Sequence, residues 1–361
     1  MQTKNKQLSV LTALSIISAV YGLVLIASAT YSSGSWSNII VQSAAIIIGI
    51  VLMLVLKSLD YEILLELNKI IFIAYTALLI LVLIIGIGRS ETGTNGWISL
   101  GPVNIQPSEF AKIGFIITFA AHLHAVGNKI NKLKNIAFLL LHLAIPLILI
   151  LLQPDYGTAM VFIFIAIIML FIAGLKLRYF FIACGAFVAA CPVMWLFLDE
   201  FQKNRILVFL NPELSPTGSG YNVIQSKLAV GSGQIIGKGL FKGSQIQMDF
   251  LPGKHTDFIF AVAGEELGFA GSILVIALLA SIIFILIKNA ATIKKNAGGY
   301  ILSGIAAMLI FQSFENIGMT IGIMPVTGIP LPFFSYGGSS ILTTFISMGV
   351  ALSILKRKDH I

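Results

Sequence analysis

Between Leu251 and Phe269 the chain gathers His255, Asp257, Glu265 and Glu266 where a polar segment runs into a long apolar one, in a protein whose charged residues are only 11% of the total. A carboxylate at such a boundary loses part of its hydration, and partners or a function must offset that cost. Asp257 is the candidate retained for chemistry there. The same residues also suit a plain helix start, with Thr256 or Asp257 as N-cap and the glutamates complementing the helix dipole. A second constellation is Gln106-Pro107-Ser108-Glu109 followed by Lys112. Pro107 and Ser108 read as a helix start, and Glu109 and Lys112, three apart, share one face and can pair. At the edge of an apolar run such a pair faces either a protein-lined wet cavity or a structural partner. Asp155, in Gln153-Pro154-Asp155-Tyr156-Gly157-Thr158, suits a turn and an N-cap.

The segment from Asp199 to Lys254 is the long polar excursion of the chain. It carries Arg205, the run Gln225-Ser226-Lys227, the Gly237-Lys238-Gly239 triplet and Lys254. Glycines let backbone N–H groups approach an anion, and these cations add charge. The spacing is not that of a nucleotide P-loop, which needs Gly-Lys-Ser/Thr after a strand. A phosphate-bearing lipid headgroup fits better, and a flexible loop is the competing reading. Further on, Glu315 beside Asn316 lies within an apolar run and needs a partner. From Met324 to Ser340, three prolines and several glycines in an apolar context imply irregular backbone at membrane depth, the re-entrant wall of a cavity.

The elements that must position these groups are membrane helices. The mean hydropathy is +0.97, and apolar runs long enough to cross a bilayer fall at about 8–30, 38–56, 70–88, 109–126, 135–152, 157–174, 179–198, 260–287, 300–321 and 340–355. The expected fold is an all-α polytopic membrane protein of about ten transmembrane helices, one domain over 1–361, with a long extracellular loop at 199–259. With the N-terminus inside, fifteen of the 23 basic residues fall on inner loops, the positive-inside bias. That distribution accounts for the net charge of +8 without nucleic acid. It places both termini in the cytoplasm and Asp257 outside. Cys184 and Cys191 stand about 10 Å apart on one helix, too far for a disulfide, and read as packing residues.

Taken together, these motifs resemble the SEDS (FtsW/RodA/SpoVE) family. The likeness is carried by Gln-Pro-Ser-Glu at 106–109, Gln-Pro-Asp-Tyr-Gly-Thr-Ala at 153–159, Gln-Ser-Lys at 225–227, His-Thr-Asp-Phe-Ile-Phe-Ala-Val at 255–262 and Pro-Val-Thr-Gly-Ile-Pro-Leu-Pro-Phe at 325–333. It spans essentially the whole chain. Gly237-Lys238-Gly239 and Leu251-Pro252 look more like the elongation branch than the division branch. The resemblance implies a peptidoglycan glycosyltransferase of the bacterial cytoplasmic membrane, polymerising lipid II at its outer face beside a class B penicillin-binding protein. It places the family's essential carboxylate on Asp257 and its charged pair on Glu109 and Lys112, with His255 in support. Gln225, Ser226, Arg205, Lys238 and Lys254 are the substrate-binding candidates, the last three toward a leaving diphosphate. No cofactor is certain, and a divalent cation (Mg²⁺ or Mn²⁺) is a further candidate. Two departures stand out: Gly253 replaces a frequent acid, and Asn95-Gly96 precedes Trp97 without the usual basic residues. An α-linked donor giving a β-linked product suits single displacement with one base. The competing readings are a lipid II flippase, which internal repeats would favour and which are not evident here, and a non-catalytic scaffold.

Overall fold

Apolar runs of membrane length leave a backbone no water to bond with, so they fold as helices. The structure, a computed structural model, describes residues 2–34, 36–88, 94–99, 101, 104–197, 203, 207–215, 218–293 and 296–357. Each expected span coincides with a helix: α1 (Gln2–Ala29), α2 (Ser37–Ser58), α4 (Asn68–Ile85), α5 (Pro107–Val126), α6 (Leu133–Leu151), α7 (Tyr156–Ile172), α8 (Leu177–Phe197), α11 (Ile259–Thr292), α12 (Ala297–Ile321) and α13 (Gly338–Arg357). Among the described residues, eight helices are long and apolar enough to cross a membrane, and Tyr156–Ile172 and Leu177–Val193 are shorter apolar helices. The protein is thus a multi-pass membrane protein. Short elements complete it: α3 (Tyr61–Glu66), α9 (Ser219–Ser232), α10 (Ser244–Gln247) and an antiparallel hairpin of β1 (Ile98–Ser99) with β2 (Asn104–Ile105).

The most enclosed helices are α12, α13 and α5. α12 lies against α11, α7 and α5, while α13 packs on α2 and α1. Small residues permit this closeness, the usual device where lipid offers no hydrophobic drive. A Cβ at Gly304 would stand 2.8 Å from Ile116 and 2.9 Å from Met169. By contrast α8 is peripheral, and Phe181 to Ala189 are all exposed. Cys184 and Cys191, expected to pack, are exposed on it. An apolar run alone does not separate packed from exposed positions, and the place of α8 at the margin leaves both cysteines open.

Two features depart from straight spans. At Gly268 (φ 64°, ψ −158°) α11 breaks. The peptide groups freed there bond to the 233–247 segment: Phe269 N–H donates to Gln234 O (2.8 Å), Ala270 N–H to Ile235 O (3.2 Å), Lys238 N–H to Glu265 O (3.0 Å) and Gly239 N–H to Glu266 O (2.9 Å). That segment is therefore a strap wedged into the break. The second feature is the irregular chain between α12 and α13. Its Ile329, Leu331, Phe333 and Phe334 are buried, and Gln42 of α2 donates to Ser335 O (3.2 Å) while accepting from Gly337 N–H (3.1 Å). Protein groups thus satisfy irregular backbone between two spans, as such backbone requires.

Candidate active site

Pro107 opens α5, where a missing N–H costs nothing, and Glu109 in the first turn is 3% exposed. Lys112, 1% exposed, places Nζ 2.6 Å from Glu109 Oε1. The expected pair forms and is buried, so neither charge has water to fall back on. Asp155 caps α7, accepting from Thr158 N–H at 3.0 Å as its turn position predicts. Its other oxygen accepts from Gln106 Nε2 at 3.2 Å, which ties α7 to the start of α5.

Asp257 sits in the turn ahead of α11. The N-cap position falls on Phe258 rather than on Thr256 or Asp257. Thr256 Oγ1 instead donates back to Gly253 O at 3.2 Å. The turn begins at Gly253, whose φ of 67° suits glycine; an acid there would be strained. The turn is then pinned from outside. Asn316 Nδ2 donates to both Asp257 O and Ile329 O at 2.8 Å, Ser335 Oγ to Thr256 O at 2.6 Å, and Tyr336 N–H to His255 O at 2.8 Å. Gly328 lies beside the carboxylate, its Cβ position 3.7 Å from Asp257 Oδ2.

The starts of α5, α7, α11 and α13 and the 324–337 chain enclose a cavity of about 400 Å³. Asp257, Glu109 and Asp155 all line it, with Gln106, Asn222, Trp97, Tyr156 and Tyr336 among the other walls. The described lining holds no lysine or arginine; Lys112 stands behind Glu109. Carboxylates, amides, hydroxyls and aromatic faces suit a polyhydroxylated ligand, which needs several directional hydrogen bonds and a flat apolar face.

Other sequence candidates lie elsewhere. His255 is outside the lining, its ring 5.5 Å from that of Tyr336. Burial, and then the Lys254 charge, lowers its pKa below the usual histidine value. Lys254 Nζ binds Asp249 (2.5 Å), Ile246 O (2.5 Å) and Ser32 (2.9 Å). That pairing, before all else, lowers the Asp249 pKa. Lys238 Nζ binds Glu265 (2.7 Å) and Ser244 (2.8 Å). Ser226 is buried with its hydroxyl on Thr320 O (2.9 Å), and Gln225 is half-buried on α9 outside the lining. Arg205 falls outside the described residues. The structure therefore brings Asp257 and Glu109 together and seats Lys238 and Lys254 on carboxylates of their own. Asn222, three residues before Gln225 and so on the same helical face, is the α9 side chain that reaches the cavity. Its position in the Gly-Tyr-Asn run carries no local signal for that role. Asn316 was legible only as the neighbour of Glu315, whose Oε1 accepts from Thr327 Oγ1 at 2.9 Å.

Fold and cavity define a multi-pass membrane protein with a carboxylate-lined polar site at one end of its helical bundle. The sequence model of the FtsW/RodA/SpoVE family, described as "Cell cycle protein", matches residues 6–360, and the chain belongs to that family. It is 38% identical over 278 residues to the peptidoglycan glycosyltransferase MrdB of Escherichia coli K12, covering 77% of this chain and 75% of the relative. It is likewise 38% identical over 319 residues to a probable peptidoglycan glycosyltransferase FtsW of Geobacter metallireducens, covering 88% and 84%. Among solved structures, a chain from work on the structural coordination of polymerization and crosslinking by a peptidoglycan synthase complex superposes with a TM-score of 0.80 at 31% identity, over 99% of this chain and 98% of that one. The rod shape determining protein RodA of Thermus thermophilus gives 0.72 at 29% identity, over 96% of both.

Proposed function

We propose that the cavity is the catalytic site at which this peptidoglycan glycosyltransferase joins lipid II units into glycan strands, with Asp257 as general base. The glycosyltransferase activity is that of the family. The observation that carries the residue assignment is Asp257 on a turn pinned by Asn316, Ser335 and Tyr336, opening into a cavity shared with Glu109 and Asp155. Asp257 takes the proton of an acceptor sugar hydroxyl as its oxygen attacks the anomeric carbon of the donor. The bond from that carbon to the diphosphate oxygen breaks, and the lipid diphosphate leaves with the electron pair. One displacement inverts the anomeric centre, and Asp257 holds the proton. Glu109, fixed by Lys112, orients a substrate hydroxyl.

The reading extends to orientation and partners. The basic residues on inner loops put both termini in the cytoplasm of a bacterial inner membrane and the cavity outside. The likeness to a chain of a peptidoglycan synthase complex supports a class B penicillin-binding protein as transpeptidase partner, and the 237–239 and 251–252 motifs support an elongation role. Arg205 remains the candidate for the leaving diphosphate, since Lys238 and Lys254 are held by Glu265 and Asp249. Among the described residues no three histidine, cysteine or acidic side chains converge to hold a metal. A cation would therefore rest on substrate phosphate oxygens with one or two carboxylates, the usual Mg²⁺ arrangement.

The test is chain growth from lipid II by purified protein. Asp257→Asn is expected to lower the rate about 10²–10⁴-fold, the usual worth of general-base help. Asp249→Asn, at an exposed carboxylate outside the cavity lining, should leave it near wild type. Normal strands from a correctly inserted Asp257→Asn protein would remove Asp257 from the base role.

A further inference from the structure

A second cavity, about 680 Å³, opens between α4, α5 and α6 at the end of the bundle opposite Asp257. It is larger than the catalytic cavity, and nothing in glycosyl transfer uses it. Its wall changes character along its length. Asn68 and Lys69 line it at the very start of α4, and Phe72, Ile73, Phe138, Leu141 and Ile145 continue it as an apolar trough. Lys134, at the start of α6, holds its Nζ 6.0 Å above the Phe138 ring. Two ammonium groups thus flank one end of a trough whose Ile73, Phe138 and Leu141 are open to hydrocarbon.

Part-way along the trough, about one turn beyond Phe138 on α6 and beside Phe72, lies a histidine pair. His122 and His142 approach through their Nδ1 atoms at 3.1 Å, and His142 Nε2 is 3.1 Å from Thr118 Oγ1. The rings of Phe72, Phe115 and Phe119 enclose His142 at 4.9, 5.8 and 5.5 Å. Both nitrogens of His142 are therefore committed. Half-buried His122 lines the cavity, and among the described residues nothing bonds to its Nε2. A polar nitrogen facing an apolar trough at membrane depth calls for an occupant that is itself polar at that level.

We infer that this trough holds one anionic glycerophospholipid of the surrounding leaflet. Its phosphate sits between Lys69 and Lys134, its glycerol region beside His122, and one acyl chain along Ile73, Leu141 and Ile145. Cations at one end, a polar group part-way along and an apolar wall around and beyond it suit such a lipid. A bare lipid annulus matches neither the paired cations nor the histidine.

The probe is the full chain in detergent, titrated with phosphatidylglycerol or phosphatidylcholine of identical acyl chains, bound lipid being counted by native mass spectrometry. Phosphatidylglycerol is expected to be retained preferentially, with Lys69→Ala weakening that retention about fivefold, the worth of one basic residue near an anionic lipid. Ala125→Trp, at an exposed wall position, should fill the trough and abolish retention while chain growth from lipid II continues. Should that variant fail to fold, Lys69→Ala with Lys134→Ala gives the same reading. Equal retention of both lipids, or phosphatidylglycerol retention untouched by the variants, overturns the inference. So does displacement of phosphatidylglycerol by equimolar undecaprenyl phosphate, which would assign the trough to polyprenyl lipids.

Discussion

Glu109 and Lys112 are both nearly inaccessible and 2.6 Å apart. In such a pair the energy at stake lies in the charge left behind when one member is removed. Glu109→Gln or Lys112→Met alone is expected to cost about 3–5 kcal/mol, whereas the double change recovers much of that loss. Thermal unfolding in detergent reads the stability, and chain growth should stay impaired in the double variant because Glu109 lines the cavity. His255 makes a pH statement. Its folded pKa is depressed by burial and by Lys254, so the unfolded chain takes up its proton first as pH falls. Its share of stability is complete above the ordinary histidine range and drains away as pH drops through that range toward the depressed folded value. His255→Gln should flatten the fall in melting temperature between pH 7 and 5; an unchanged slope would remove His255 from that role. Asp249 has the same sign in a lower pH window: its pKa is lowered by Lys254, so its share of stability is present above the usual carboxylate range and is lost as pH falls through that range.

The elements that matter most for the site are those that stop being regular. The first part of α11 carries Asp257 at its head and two fully buried glutamates at its foot, just before the Gly268 break. Glu265 accepts from Gln245 and Ile246 N–H and from Lys238; Glu266 accepts from Phe241 and Gly243 N–H, Gln247 Nε2 and Ser28. The strap thus grips the helix that carries Asp257. A Cβ at Gly268 would lie 2.4 Å from Gly237 N and 2.7 Å from Ile235 O, at a φ that side chains avoid. Gly268→Ala should therefore loosen the strap, seen as faster hydrogen exchange across 233–247. Asn316 acts from α12 by holding the Asp257 and Ile329 carbonyls together. Asn316→Leu leaves two buried acceptors unpaired, at about 1–3 kcal/mol each. It should lower kcat more than it changes KM, since it moves Asp257, the proposed base; a change in KM alone would refute the positioning role.

For the molecule as a whole, orientation has a direct measurement. In a background lacking Cys184 and Cys191, Met248→Cys, at an exposed position, should react with a membrane-impermeant thiol reagent in intact cells. Glu62→Cys on α3, also exposed, should react only after permeabilisation. The reverse pattern would place the Asp257 cavity in the cytoplasm and end the proposal of outward lipid II polymerisation. The arrangement also separates two environments: a polar cavity at one end, and an apolar trough with flanking lysines at the other.

Helical spans, the Glu109–Lys112 pair and the Asp155 cap were all readable in the sequence, because each depends on residues within a few positions of one another and on a solvent that forbids unpaired backbone. The partners of Lys238, Lys254, Glu266 and Asn316 were not. A lysine beside glycines looks the same whether it awaits a phosphate or already holds Glu265 27 positions away. Only the packing of α1, α9, α11 and α12 decides which cations are spent internally, and which carboxylates are left facing a cavity.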